Sequence, residues 1–456
     1  MGISSTARGG VTFVDLFAGI GGFAAALHSF GAHPLLASEF DESAAKIYSK
    51  NWGVPAHSDV TLIAPDNVTN ENPGVGLHDI LTGGFPCQPF SKSGSQMGVL
   101  DASRGTLFHN ITNAIQTGKP TMVILENVRN LAGPKHKKDL DIMLQSLRHL
   151  GYRVSDQLTF VSPHKIHPDL GGRPQSRERL FIVATRIPEG CNTANTIEPL
   201  DIYANLPKQW DAKHWNAKTF LESLPKSDEE NVAITPGEEF VISAWQKLIE
   251  NLREKGVAVP AFPIWTEFWG GREDLTRFPA WKAKLIERNQ NFYFQNQEVL
   301  EAWAAECELF THPAFSPSKR KLEWQAGEMK SVMDGIIQFR PSGVRVKPAN
   351  YFPALVAITQ TPIVGPLNRR LSVNDAKHLQ GLPPKFSFFE QTPAKSYKQL
   401  GNGVNVAAVW WVIRSAIVRD RDLLELTDRG REILGLFNEE LLSPDISLKN
   451  FRPLGK

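Results

Sequence analysis

A thiol, two carboxylates and two guanidiniums stand out in the first half of the chain. Cys87 lies between prolines in Gly83-Gly84-Phe85-Pro86-Cys87-Gln88-Pro89-Phe90-Ser91. Pro86 and Pro89 hold the backbone extended. A thiol fixed in that way can serve as a nucleophile, because a small fraction of it is thiolate at neutral pH. A buried, inert cysteine is the other reading. Glu126, in Leu125-Glu126-Asn127-Val128, could give a proton to a bound ring. A solvated acid capping a helix would look the same. Gln175, Arg177 and Arg179 alternate, so they share one face. That face offers forked donors to phosphate or carboxylate, or is a plain basic strand edge. Gly19, Gly21 and Gly22 make a turn, and Glu39 follows about 20 residues later, where α/β nucleotide sites hold ribose hydroxyls. The turn has no Gly-Lys-Ser/Thr, which argues against NTP hydrolysis. Ala24 breaks the full G-x-G-x-x-G, which weakens the case for a nicotinamide or flavin dinucleotide.

The elements that must position these groups follow from periodicity. Val11 to Phe17 is a continuous apolar run, as expected of a buried parallel strand. Further strands are expected at 34–40, 79–85, 121–127 and 179–186, and helices at 23–30 and 42–50, the second capped by Asp41. This alternation predicts an α/β doubly wound sheet. In such sheets the crevice lies at the carboxyl ends of the strands, so Cys87 would face the glycine turn.

The chain has 456 residues, enough for two or three domains without a disulfide or metal staple. The charge is near neutral, with 50 basic against 48 acidic residues, which leaves room for a local basic face. Three cysteines far apart argue for a reducing compartment. No apolar run suits a membrane span or secretory signal. From Ile187 to about Pro366 the alternation stops, and eight of the eleven tryptophans fall there. That shift predicts a second domain with its own core. Residues 438–456 read as a loosely packed tail.

Together these pieces resemble the DNA (cytosine-5)-methyltransferase family, in particular its bacterial restriction–modification members. Asp15-Leu16-Phe17-Ala18-Gly19-Ile20-Gly21-Gly22 is similar to the cofactor motif, and Pro86-Cys87-Gln88 to the catalytic motif. Arg104-Gly105-Thr106-Leu107-Phe108, Glu126-Asn127-Val128 and Gln175-Ser176-Arg177-Glu178-Arg179 follow in the family's order. So do Leu379-Gln380-Gly381-Leu382-Pro383 and Gly401-Asn402-Gly403-Val404. Asp375 stands where the family usually has Glu, and Gly403 where it has Ser or Ala.

The resemblance implies a Rossmann-like methyltransferase sheet with a smaller target-recognition domain. The catalytic part spans 1–190, the recognition domain 191–395, and 396–437 returns to the catalytic domain. It implies S-adenosylmethionine as cofactor, S-adenosylhomocysteine as product, and no metal. Phe17, Gly19, Gly21, Glu39, Phe40, Asp59, Val60, Pro86, Leu107, Asn402 and Val404 would bind the cofactor. Cys87 would be the nucleophile, with Glu126, Arg177 and Arg179 on the target base. Gln88, Ser91, Ser93, Arg104 and Gln175 would meet DNA. In the recognition domain Arg340, Arg345 and Lys347 are candidates for phosphate or guanine contacts, or for a solvated charged face. The stretch 91–104 could close over a flipped cytosine. The implied setting is a cytoplasmic bacterial monomer acting on double-stranded DNA, beside a cognate endonuclease. A transfer-RNA methyltransferase, a silent DNA-binding scaffold and a nicotinamide oxidoreductase are the rivals; intact Cys87 and Glu126 disfavour the silent scaffold, and the last does not explain Pro86-Cys87-Gln88.

Overall fold

The computed structural model describes residues 10–57, 59–64, 74–86, 107–225, 232–271, 273–356 and 361–455. Cys87, Gln88, Ser91, Ser93, Arg104 and the closing stretch 91–104 lie outside the described residues. The described chain forms two compact units. One holds residues within Met1–Ala212, Pro353–Ala357 and Ala376–Lys456; the other holds those within Lys213–Phe352 and Ile358–Asp375.

The first unit is built on strands β1 (Thr12–Leu16), β2 (His33–Ser38), β3 (Ala56–His57), β4 (Ile80–Gly84) and β5 (Met122–Val128). They are joined through helices α1 (Gly22–Ser29), α2 (Glu42–Trp52), α3 (Val60–Ile63) and α4 (Leu107–Gly118). Helix α5 (Lys137–His149) leads to β6 (Tyr152–Val154), β7 (Thr159–Val161), a short β8 (Gln175–Ser176) and β9 (Arg179–Arg186). The eight-stranded sheet has the order β3-β2-β1-β4-β5-β9-β6, with β7 also paired to β9. Strands β1 to β5 run parallel, and β9 runs antiparallel to β5. Phe13, Val14, Leu16, Ile80, Leu81, Val123, Ile124 and Leu125 are fully buried. Apolar side chains on both faces of each strand require cover on both sides, which is why these runs do not alternate. Asp41 caps α2, accepting from Ser43 N at 3.0 Å and Ala44 N at 3.2 Å. Gly53 ends that helix at φ 78°.

The second unit has its own six-stranded sheet. It contains β10 (Ile264–Trp265), β11 (Lys321–Trp324), β12 (Gly335–Arg340) and β13 (Gly343–Pro348), in the order β10-β11-β13-β12, followed by Ile363–Val364 and Arg369–Arg370. Its helices include α6 (Ala217–Glu222), α7 (Pro236–Glu254), α8 (Ala280–Gln295) and α9 (Gln297–Glu306). Thr235 and Glu238 form a capping box that starts α7, with Pro236 in its first turn. Trp245, Trp269, Trp303 and Trp324 are buried in one core with Ile264, Leu322, Ile337 and Val346. Trp281, by contrast, is 67% exposed.

The chain then returns through α10 (Val373–Leu379), α11 (Pro393–Asn402) and α12 (Val406–Arg419). The division falls near residues 212 and 375, where composition pointed to 187 and 366 and the resemblance implied 190 and 395. Residues 191–206 still pack on the first unit: Leu200, Ile202 and Leu206 are buried, and Val154 N donates to Asn195 O at 3.0 Å. Gln380 likewise belongs with α12, its carbonyl accepting from Val406 N at 2.9 Å. The tail is docked rather than loose. Phe451 is buried against Trp52, ring centroids 4.9 Å apart, and Leu454 N donates to Asn51 O at 3.0 Å.

Candidate active site

Strand β1 lies between β2 and β4, so the chain leaves it in one direction and later adds strands in the other. Such a reversal opens a crevice at the carboxyl ends of β1 and β4. The glycine turn follows β1, and Phe85-Pro86 follows β4.

The turn is strained and tightly packed. Phe17 has φ 55°, a left-handed conformation that costs a residue with a Cβ about 1–2 kcal/mol. The three glycines have different reasons. A Cβ on Gly21 would sit 2.0 Å from Trp52 Nε1, whose N–H donates to Ile20 O at 3.0 Å. A Cβ on Gly22 would meet Val404 O at 2.6 Å. Gly19 has φ 55° and nothing within 4 Å of where its Cβ would stand. Only Gly19 of the three therefore faces open space. Its N–H donates to Glu39 Oε2 at 2.8 Å, while Asp41 N donates to Glu39 Oε1 at 2.8 Å. Burial pushes the Glu39 carboxyl above its ordinary range, and those two amides hold it back. Phe40 is 83% exposed. Asp59 caps α3 by accepting from Thr61 N at 2.8 Å, and Val60 is buried.

The second group gathers at the tips of β4, β5 and β9. Gly84 pairs with Glu126, and Val128 pairs with Arg179. Arg179 Nε lies 2.9 Å from Glu126 Oε1. Burial pushes the Glu126 carboxyl up, against the pull of Arg179 and Arg177. Asn127 points the other way and donates from Nδ2 to Phe85 O at 2.9 Å. It thereby pins the backbone two residues before Cys87. The sequence reading missed Asn127, although strand alternation beside Glu126 was the available signal. It also missed Trp52, whose place beneath the turn has no local signature. Pro86 is exposed, and Leu107 opens α4 half-buried.

Two expected positions are corrected. Arg177 is 2% exposed and does not present its fork to the crevice. It donates to Leu355 O at 2.9 Å, Gly401 O at 2.9 Å and Gly403 O at 2.5 Å. Burial and the neighbouring Arg179 lower its pKa to about 9. It is a clamp on the 401–403 turn. Gln175 is fully buried, and neither amide atom has a partner among the described residues. The short β8 turns it inward instead of continuing the β9 face.

The sequence profile of C-5 cytosine-specific DNA methylases matches residues 11–418. The chain belongs to that family. It is 38% identical to the Type II methyltransferase M.AluI of Cellulosimicrobium cellulans, over 94% of this chain and 96% of that protein. It is also 36% identical to M.HhaI of Haemophilus parahaemolyticus, over 39% of this chain and 50% of that one. M.HpaII of Haemophilus parainfluenzae is 36% identical over 48% and 59%, respectively.

The two departures of this methylase from its family's motifs are both accommodated. Asp375 accepts from Ser372 N at 2.9 Å, while its own N–H donates to Ser372 Oγ at 2.9 Å. Asp therefore closes the cap that Glu usually closes, and it also holds Arg369 at 2.5 Å. Gly403 has φ −65°, ordinary for any residue. Asn402 is exposed beside it, and Val404 is buried.

In the second unit of the methylase, Glu323, Gln338, Arg340, Arg345 and Lys347 occupy the sheet face opposite its core. Their neighbours Leu322, Ile337, Phe339, Val344 and Val346 point into that core. Arg340 pairs with Glu323, and Arg345 Nε lies 3.3 Å from the same carboxylate. Lys347 lies over the Tyr351 ring, 3.9 Å from its centroid. Burial and Arg345 lower the Lys347 pKa to about 8.

Proposed function

We propose that this methylase transfers a methyl group to C5 of a cytosine flipped out of duplex DNA, through a transient bond between Cys87 and C6. The observation that carries this reading is the strand register: Gly84, three residues before Cys87, is paired with Glu126, which is held by Arg179. Gly84 and Glu126 end neighbouring strands, and in this reading Cys87 brings its thiol to the proton-holding carboxyl.

The residues beside this pair suit an adenosyl cofactor. Gly19 leaves room for close backbone approach, Glu39 offers a carboxylate for ribose hydroxyls, and Phe40 offers an exposed ring for adenine. Phe17, Gly21, Asp59, Val60, Pro86, Leu107, Asn402 and Val404 complete the set. The family implies S-adenosylmethionine, which supplies an electrophilic methyl group.

Cytosine C5 is a poor nucleophile. Addition of the Cys87 thiolate to C6 turns C5 into an enamine-like carbon. Glu126 holds a proton at N3 and so offsets the charge that builds on the ring; its raised pKa suits that task. Arg179 keeps Glu126 in place. After C5 has taken the methyl group, a proton leaves C5 and the thiolate is expelled. None of this can occur in a stacked duplex, and flipping costs a few kcal/mol. Arg340, Arg345 and Lys347 would meet phosphates or guanines beside the target. Gln88, Ser91, Ser93 and Arg104 would line the path of the flipped base. The physiological setting proposed is protection of host DNA beside an endonuclease sharing the site, by a monomer in the bacterial cytoplasm. No described helix is long and apolar enough to cross a membrane.

The test is trapping on a duplex carrying 5-fluorocytosine, with S-adenosylmethionine present. Fluorine cannot leave C5 as a proton would, so the covalent bond should persist on denaturing gels. Cys87→Ser should abolish it. Trapping that survives Cys87→Ser would overturn the assignment.

A further inference from the structure

The segment that follows Glu126 carries charge that the fold uses only in part. Residues 127–138 contain Arg129, Lys135, Lys137 and Lys138 and no acid. Arg129 directly follows the end of β5, three residues beyond Glu126, at the carboxyl rim of the sheet. All four side chains are exposed. Arg129 pairs with Glu178 and lies over the Phe160 ring, 5.2 Å from its centroid. No carboxylate pairs with Lys135, Lys137 or Lys138 among the described residues. The next acid, Asp139, is engaged by His136 Nδ1 at 3.2 Å.

Two of these lysines oppose their own helix. Lys137 and Lys138 occupy the first turn of α5, where the helix dipole favours acids and disfavours cations. The N-cap His136 makes no side-chain cap bond. Lys135, Lys137 and Lys138 thus place three exposed ammonium groups, none paired with a carboxylate among the described residues, within four residues of chain, a cluster that suits anions. Val128, 42% exposed, completes a rim on which a large partner can rest.

We infer that Lys135, Lys137 and Lys138 form a phosphate-binding surface that seats the DNA backbone beside the target base. This rests on the proposed action on duplex DNA. The surface reads no sequence; it fixes the height of the duplex over the Glu126 tip. Each phosphate neutralised releases condensed counterions, so the contribution is written in the salt dependence of binding.

The experiment compares wild type with K135A/K137A/K138A on a duplex that the wild type methylates. Methylation rates are measured against duplex concentration at several salt concentrations. The variant's KM for duplex should rise about tenfold at ~0.15 M salt, and the log–log salt slope should fall by about 2–3. Saturating kcat should stay within about twofold, because phosphate contacts position the duplex without touching the reacting atoms. Its melting temperature should equal or exceed that of wild type, since two unfavourable first-turn cations are gone. A milder set, K135Q/K137Q/K138Q, should give the same slope change and so separate charge from helix propensity. An unchanged KM and slope in a variant of active wild type would overturn this surface alone. A wild type that methylates RNA but no duplex DNA would overturn the proposed function and this surface with it.

Discussion

Arg179 Nε lies 2.9 Å from Glu126 Oε1, across two strands that run in opposite directions. Arg177, two residues earlier, turns away and holds three backbone carbonyls. Two arginines that look alike in sequence thus do different work. One orients an acid at the crevice; the other ties the 401–403 turn to the sheet.

That division predicts different losses. Arg179→Ala should reduce methyl transfer about a hundredfold, as removal of one positioned catalytic partner typically does. Its melting temperature should stay near wild type. Arg177→Ala removes the donor from two buried carbonyls and one part-buried one and should cost on the order of 3 kcal/mol of stability. Urea unfolding of both variants checks this; an Arg177→Ala protein as stable as wild type would contradict the clamp.

The glycines should also separate. Gly403→Ala should be tolerated, because φ −65° is ordinary and its nearest neighbour, Gln399 O, is 3.4 Å away. Gly22→Ala and Gly21→Ala should destabilise the fold, since Val404 O and Trp52 Nε1 already fill the space. Gly19→Ala should cost only about 1–2 kcal/mol of stability, the left-handed strain. It should nonetheless weaken binding of S-adenosylhomocysteine, measured by calorimetry.

Asp15 makes stability depend on pH. It is fully buried, and its carboxyl is pushed up to about 8 by burial, with the Thr82 hydroxyl 2.8 Å away pulling back. Between pH 4 and 8 the folded chain keeps a proton that the unfolded chain has released. This contribution is full below pH 4 and is lost as pH rises through about 8. Asp15→Asn should flatten the decline of stability between pH 5.5 and 7.5 by up to ~1.4 kcal/mol per pH unit. Urea midpoints at the two pH values measure it; equal slopes would contradict a protonated Asp15.

Glu323 holds both Arg340 and Arg345 on the outer sheet face of the second unit. Arg340→Ala/Arg345→Ala should weaken duplex binding, and loss of one base-reading pair should cost about 1–3 kcal/mol of discrimination. Cofactor binding should be unaffected. Mapping methylated positions in plasmid DNA would check this, and an unchanged pattern and affinity would remove these arginines from the reader.

Much of the first unit was legible in sequence. The apolar runs at β1, β4 and β5 and the cap at Asp41 depend on local pattern, and they fall where expected. Glu126 and Arg179 were legible too, as polar residues at strand tips. What was not legible depends on distant partners. Trp52 explains Gly21, and Val404 explains Gly22, but neither pairing has a spacing rule. Gln175 and Arg177 seemed to share a face with Arg179, because alternation was extended across β8 into β9. The backbone breaks between them, and both side chains go inward. The second unit was legible only as a change in composition: its strands are short, and its core draws on tryptophans far apart in the chain. The tail was misjudged because one aromatic, Phe451, is enough to dock it.

In the proposed reaction a methyl group is transferred to cytosine C5 in DNA through Cys87. It is tested most directly by bisulfite sequencing of a plasmid from cells expressing the protein, beside cells expressing Cys87→Ser. Cytosines protected within one short sequence motif, and no protection with Cys87→Ser, are the expected result. Well-expressed wild-type protein that leaves every plasmid cytosine convertible, or protection that persists in Cys87→Ser, would contradict it.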